Sequence, residues 1–152
     1  MTSSRPEVDP STQLRRFIYR HFIRQGSAPA VARMATALGW SARKTRAALR
    51  QLAATHAFVL QENGELWRAA PFSAVPTSFS VQIGNRSWWA NCIWDALGIP
   101  AMLHQDACIE ASCGCCNHEM GLRVSQGKLV RTQGVIHFAV PAARWYDDIV
   151  FT

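Results

Sequence analysis

At 152 residues, 49% hydrophobic and 17% charged, the chain excludes a disordered polymer and is long enough to bury one ordinary core or two small ones. It holds no apolar run of membrane-spanning length, and its opening, Met1-Thr2-Ser3-Ser4-Arg5-Pro6-Glu7, lacks the apolar stretch of a secretion signal, so no membrane partner and a cytoplasmic location are expected. The net charge of +6 is uneven: residues 1–70 carry eleven Lys and Arg against four Asp and Glu, whereas the remainder carries five against six. This shift predicts two domains, the first facing something anionic.

Asp9-Pro10 is a helix start, with Asp as cap and Pro in the first turn. Leu14, Phe17, Ile18, His21 and Phe22 keep helical spacing up to Gly26-Ser27. A short second helix is expected over 29–38, with Gly39 at its end, and a third over 42–55, capped by Ser41. Phe58-Val59-Leu60, the turn Asn63-Gly64 and Leu66-Trp67 then read as a hairpin. Three helices and a hairpin predict a winged-helix-like domain over 1–70. Arg43, Lys44, Arg46 and Arg50 fall on or near the exposed face of the third helix, where they would meet DNA phosphates. Solvated arginines on a scaffold are the plainer alternative.

Residues 71–76, with two prolines, read as an extended connector. Phe79, Val81 and Ile83 alternate as in a strand. A helix capped by Ser87 is expected to carry Cys92 and Asp95 and to close at Gly98-Ile99-Pro100, with a short turn at Ala101-Met102-Leu103. Strand-like stretches follow at 107–112, 120–124, 128–131 and 135–140, then a short helix over 141–146 and a last strand at 149–151. The whole is α+β: three N-terminal helices, then a small mixed or antiparallel sheet with one main helix.

Two groups of residues carry chemistry. Cys92 and Asp95 stand three apart in Trp88-Trp89-Ala90-Asn91-Cys92-Ile93-Trp94-Asp95, which on a helix places both side chains on one face. A thiolate is a soft ligand, and a carboxylate partly desolvated beside Trp89 and Trp94 has a pKa raised toward acid–base work. A buried Cys and a surface Asp are the bland alternative. The second group is Cys113-Gly114-Cys115-Cys116-Asn117-His118. Its adjacent cysteines fit zinc poorly, and a thiol-rich turn capturing soft ions, or a tight turn with one Cys packed inward, are the other readings. His137, in an apolar stretch, is expected to be a satisfied core histidine.

The second half resembles the organomercurial (alkylmercury) lyase family, over roughly residues 75–152. The resemblance is carried by Trp89-Ala90-Asn91-Cys92-Ile93-Trp94-Asp95-Ala96-Leu97 with Ile99-Pro100-Ala101, by Ile109-Glu110-Ala111-Ser112-Cys113 and by the stretch 134–141. It implies a lyase-like catalytic domain over 77–152 that cleaves carbon–mercury bonds by protonolysis, yielding a hydrocarbon and Hg(II). Cys92 would be the thiolate that takes mercury, and Asp95 the proton shuttle. Cys113 would be structural; from the residues themselves, Cys113, Cys115 and Cys116 are candidate auxiliary thiols for the metal. The implied partners are an organomercurial and small cellular thiols. No organic cofactor is implied, because mercury arrives with the substrate.

One departure from the family stands out. Its second catalytic cysteine falls, by an ungapped count from Pro141, at or next to Thr152, where this sequence ends. A chain cut short, a relative that binds without turnover, and substitution by Cys108, Cys115, Cys116 or a small thiol are the three explanations. The competing functional reading is a winged-helix DNA-binding transcriptional regulator that senses soft metals or electrophiles through its C-terminal thiols.

Overall fold

The computed structural model describes residues 8–131, 135–138 and 140–148. Helix α1 spans Pro10–Gln25. It starts where expected, because the Asp9 carboxylate accepts the Thr12 N–H at 3.1 Å and Pro10 occupies the first turn. Leu14, Ile18 and Phe22, four residues apart, form its buried stripe. Helix α2 (Val31–Leu38) ends at Gly39, and α3 (Ala42–Ala54) begins at Ser41, whose hydroxyl accepts the Lys44 N–H at 3.2 Å. Strands β1 (Val59–Leu60) and β2 (Leu66–Ala69) make the expected antiparallel hairpin. Glu65 in that hairpin reaches back to accept the Val31 N–H at 2.9 Å, so its carboxylate caps α2.

The expected connector contains β3 (Phe72–Ser73), which pairs with β2 on one side and with β5 (Arg86–Ala90) on the other. With β4 (Phe79–Ile83), β6 (Ala107–Ser112), β7 (Glu119–Ser125) and β8 (Lys128–Arg131), the described residues form an antiparallel sheet in the order β1-β2-β3-β5-β4-β6-β7-β8. The α+β class therefore holds, with N-terminal helices followed by sheet. A 3-10 helix, Ala142–Asp147, stands where a short helix was expected.

Three local expectations are corrected. The tryptophan-rich run before Cys92 is strand, not helix. Trp88 and Ala90 are buried while Ser87 and Trp89 face out, a period of two that suits aromatic residues on a sheet. Helix α4 (Ile93–Leu103) starts only after Cys92 and runs on through Pro100, whose carbonyl accepts the Gln105 N–H at 3.2 Å as the helix closes. Residues 135–138 are neither helix nor strand, and His137 is exposed rather than packed in a core. The last expected strand, 149–151, lies outside the described residues.

The α1 helix is bolted to β5. The buried Trp88 Nε1 donates to the Phe22 carbonyl at 2.7 Å, and an Arg86 guanidinium nitrogen donates to the Ile23 carbonyl at 3.2 Å, satisfying carbonyls at the end of α1. Phe22 and Phe72 stack with centroids 5.0 Å apart and planes 11° from parallel. Burial of each contributes about 2–3 kcal/mol. One apolar cluster runs without a break from Leu14 to Val124, so helices and sheet share a core.

Candidate active site

The chain makes a turn between β5 and α4, and this turn presents Asn91, Cys92 and Asp95 to a cavity of about 170 Å³. Cys92 is the N-cap residue of α4, with extended backbone, and Asp95 lies in the first helical turn. The two therefore face one cavity not as neighbours on a helix face but as a cap and a first-turn residue. The rest of the lining comes from elsewhere in the chain: His56, Phe58 and Val59 from the segment after α3 and the start of β1, and Arg68 from β2. Phe138, Trp145 and Tyr146 complete it. The wall is braced by His56 and Tyr146, whose rings lie 4.6 Å apart, and by Phe138 and Trp145 at 5.2 Å. The Trp145 Nε1 donates to the Val140 carbonyl at 2.9 Å.

The lining is largely apolar, and both ionisable groups feel it. Burial pushes the Cys92 thiol above its usual value. The Asp95 and Trp94 N–H groups at the helix start pull it back, without forming a side-chain cap, while the Asp95 charge pushes it up and Arg68 lowers it. Burial likewise raises Asp95, opposed by the Asn91 amide, which donates to Asp95 Oδ2 at 2.8 Å, and by Arg68. A carboxyl whose proton affinity is raised by burial is a better proton acceptor than an exposed one, which suits it to acid–base work beside a thiol. Trp94 lines the cavity with more than half its surface open, whereas Trp89 lies on the other face of the sheet, beside Ser80 and Glu110.

The remaining candidates lie apart from this cavity. Cys113, Cys115 and Cys116 cluster at the β6–β7 turn, with all three sulfurs within 4.8 Å of one another. Backbone N–H groups of Cys115 and Cys116 lower the Cys113 thiol to about 7. Cys108 is exposed on β6. On α3, Arg43 and Arg50 are exposed, but Lys44 stacks over the Trp40 ring at 4.5 Å and Arg46 donates to the Asn63 carbonyl at 3.0 Å, tying α3 to the hairpin. A basic groove that includes Arg16, Arg20, Arg24 and Arg33 runs along α1 and α2 instead. Sequence reasoning did not single out His56, Arg68, Asn91 or Tyr146. Only Asn91 carried a local signal, its place four residues before Asp95, because the others reach the cavity through long-range packing.

A family model described as alkylmercury lyase matches residues 72–152. Among solved structures, the crystal structure of the mercury-bound form of MerB2 is similar, with a TM-score of 0.65 at 22% sequence identity, covering 82% of this chain and 61% of that one. The chain thus spans less than two thirds of that relative. No curated protein matches.

Proposed function

The chain belongs to the alkylmercury lyase family, and from that premise we propose that it cleaves the carbon–mercury bond of an organomercurial by protonolysis. The observation that carries this reading is the shared cavity of Cys92 and Asp95, half-buried and largely apolar. A thiol whose pKa is raised by burial is a poor nucleophile unless a base takes its proton. Asp95, one helical turn along, is that base. Cys92 loses its proton to Asp95 and forms a sulfur–mercury bond as the original ligand on mercury leaves. Protonated Asp95 then delivers the proton to the mercury-bound carbon. The carbon–mercury bond breaks, the hydrocarbon departs, and Hg(II) remains on sulfur with no change of oxidation state. Small thiols complete the mercury coordination and carry the ion away.

The aromatic lining, which includes Trp94, Trp145 and Tyr146, favours an apolar organic group on the substrate. The test is incubation with phenylmercury or methylmercury and excess small thiol, with benzene or methane measured in the headspace. Release falls to background in Cys92→Ser and at least a hundredfold in Asp95→Asn. Equal release by wild type and Cys92→Ser overturns the reading.

The exposed Arg43 and Arg50 on α3 support a second reading, contact with DNA phosphates. A duplex-binding titration across salt tests it. Replacing both by Ala lowers the salt slope by about two if each neutralises a phosphate. An unchanged slope removes α3 from consideration.

A further inference from the structure

The β6–β7 turn gathers three thiols that the cavity chemistry does not use. Its backbone is closed at both ends: the Cys113 N–H donates to the His118 carbonyl at 2.9 Å, and the Asn117 N–H donates to the Cys113 carbonyl at 2.8 Å. Asn117 adopts a left-handed φ of 56°, which reverses the chain and returns it to β7. Within this loop the Cys113, Cys115 and Cys116 sulfurs lie within 4.8 Å of one another. An ion at the centre of a triangle with that side sits at most about 2.8 Å from each corner, against metal–sulfur bonds of about 2.3 Å for zinc. A sub-ångström contraction therefore closes all three sulfurs on one ion. Cys115 and Cys116 are exposed, so an arriving ion meets no packed side chain.

Position in the sheet adds a second observation. Trp89 on β5 pairs with Ser80 on β4, and Ser80 pairs with Glu110 on β6. Both outer strands run antiparallel to β4, so they leave the sheet at the same end. Cys92 lies three residues beyond Trp89, and Cys113 three beyond Glu110. Trp89 and Glu110 are thus two strand spacings apart, about 10 Å, and the thiol-bearing turns follow them at the same end of the sheet.

We propose that Cys113, Cys115 and Cys116 form a tri-thiolate site for a soft, thiophilic ion, Hg(II), at the sheet end that also carries Cys92. Three sulfurs suit a soft ion that accepts low coordination. Among the described residues no fourth His, Cys, Asp or Glu joins the set, so the closed tetrahedral shell of structural zinc is not what this turn builds. On binding, each thiol gives its proton to solvent as its sulfur–mercury bond forms, and the ligands already on mercury leave. Mercury stays Hg(II), and no electron moves. The choice of Hg(II) rests on the lyase reading above, since this ion is the product of that reaction. The three-sulfur geometry does not depend on it.

The test uses the reduced full chain carrying Cys92→Ser, so that the cavity thiol is silent. Mercuric chloride is added with a small-thiol competitor, and retained mercury and its sulfur coordination number are read after desalting, the latter by X-ray absorption. Expected is one Hg(II) per chain with three sulfur ligands. Adding Cys115→Ser and Cys116→Ser, both exposed positions whose replacement leaves the circular dichroism unchanged, drops retention at least tenfold. Retention unaffected by these two changes, or mercury bound by fewer than three protein sulfurs, overturns the proposal. Hydrocarbon release by the wild type is scored separately, so a chain that fails as a lyase but retains mercury at this turn refutes only the lyase reading.

Discussion

The Asn91 side-chain amide donates to the Asp95 carboxylate at 2.8 Å, while its own carbonyl oxygen is buried with no hydrogen-bond partner among the described residues. The amide is thereby held as a donor toward the carboxylate that must first be charged in order to accept a proton. A donor to the charged form lowers a carboxyl pKa, and here it opposes the larger effect of burial. Asn91→Ala removes that opposition. The acidic limb of kcat/KM against pH moves to higher pH, and Asn91→Gln restores part of the shift. An unmoved limb excludes Asn91 as a positioning residue for Asp95.

Asp95 also couples stability to pH. Its folded-state pKa is raised above the unfolded value, chiefly by burial. The contribution to stability is therefore fully present below the unfolded pKa and is lost as pH rises through the folded one. Asp95→Asn, which removes the buried charge and keeps the shape, raises Tm by about 2–4 °C at neutral pH. At pH values below the unfolded carboxyl pKa the gain vanishes. Thermal unfolding of the two proteins across pH checks both the sign and the window.

Gly26 closes α1 with φ +74°, and a Cβ built there lies 2.7 Å from the Ser87 carbonyl oxygen of β5. Gly39 closes α2 with a similar φ of +66° but opens on empty space. Gly39→Ala costs conformational strain alone, about 1 kcal/mol. Gly26→Ala adds a clash with backbone and costs at least about twice that. Urea unfolding of the pair separates strain from contact, and equal costs refute the close approach of α1 to β5.

Tyr146 reaches the cavity from the 3-10 helix and packs against His56 in its lining. Tyr146→Ala opens that wall without touching Cys92 or Asp95. KM for phenylmercury rises about tenfold and kcat changes less, the pattern of a lost binding contact. A fall in kcat with KM unchanged contradicts the placement of Tyr146 as a wall of the substrate cavity.

The helix starts and ends were legible in the residues themselves. Asp9-Pro10, Ser41, Gly26 and Gly39 act through bonds and dihedrals within a turn of their own position, so local chemistry decides them. The same holds for the Asn63-Gly64 hairpin and for β6, which alternates cleanly between faces. The run before Cys92 is ambiguous locally, because three consecutive apolar and aromatic residues, Trp88, Trp89 and Ala90, suit either period. Only pairing with β3 and β4 made it a strand and moved Cys92 from the body of a helix to its cap.

The sequence alone determined which chemistry is present: one thiol and one carboxyl at close spacing, and three thiols in a single turn. Those facts are covalent and need no fold. Tertiary structure alone decided that Cys92 and Asp95 share a cavity with residues from α3, β2 and the 3-10 helix, since that wall is assembled by packing between segments far apart in the chain. It also decided that Asp95 is desolvated and faces an amide donor, because burial and electrostatic neighbourhood belong to the packed core and to no local pattern of residues.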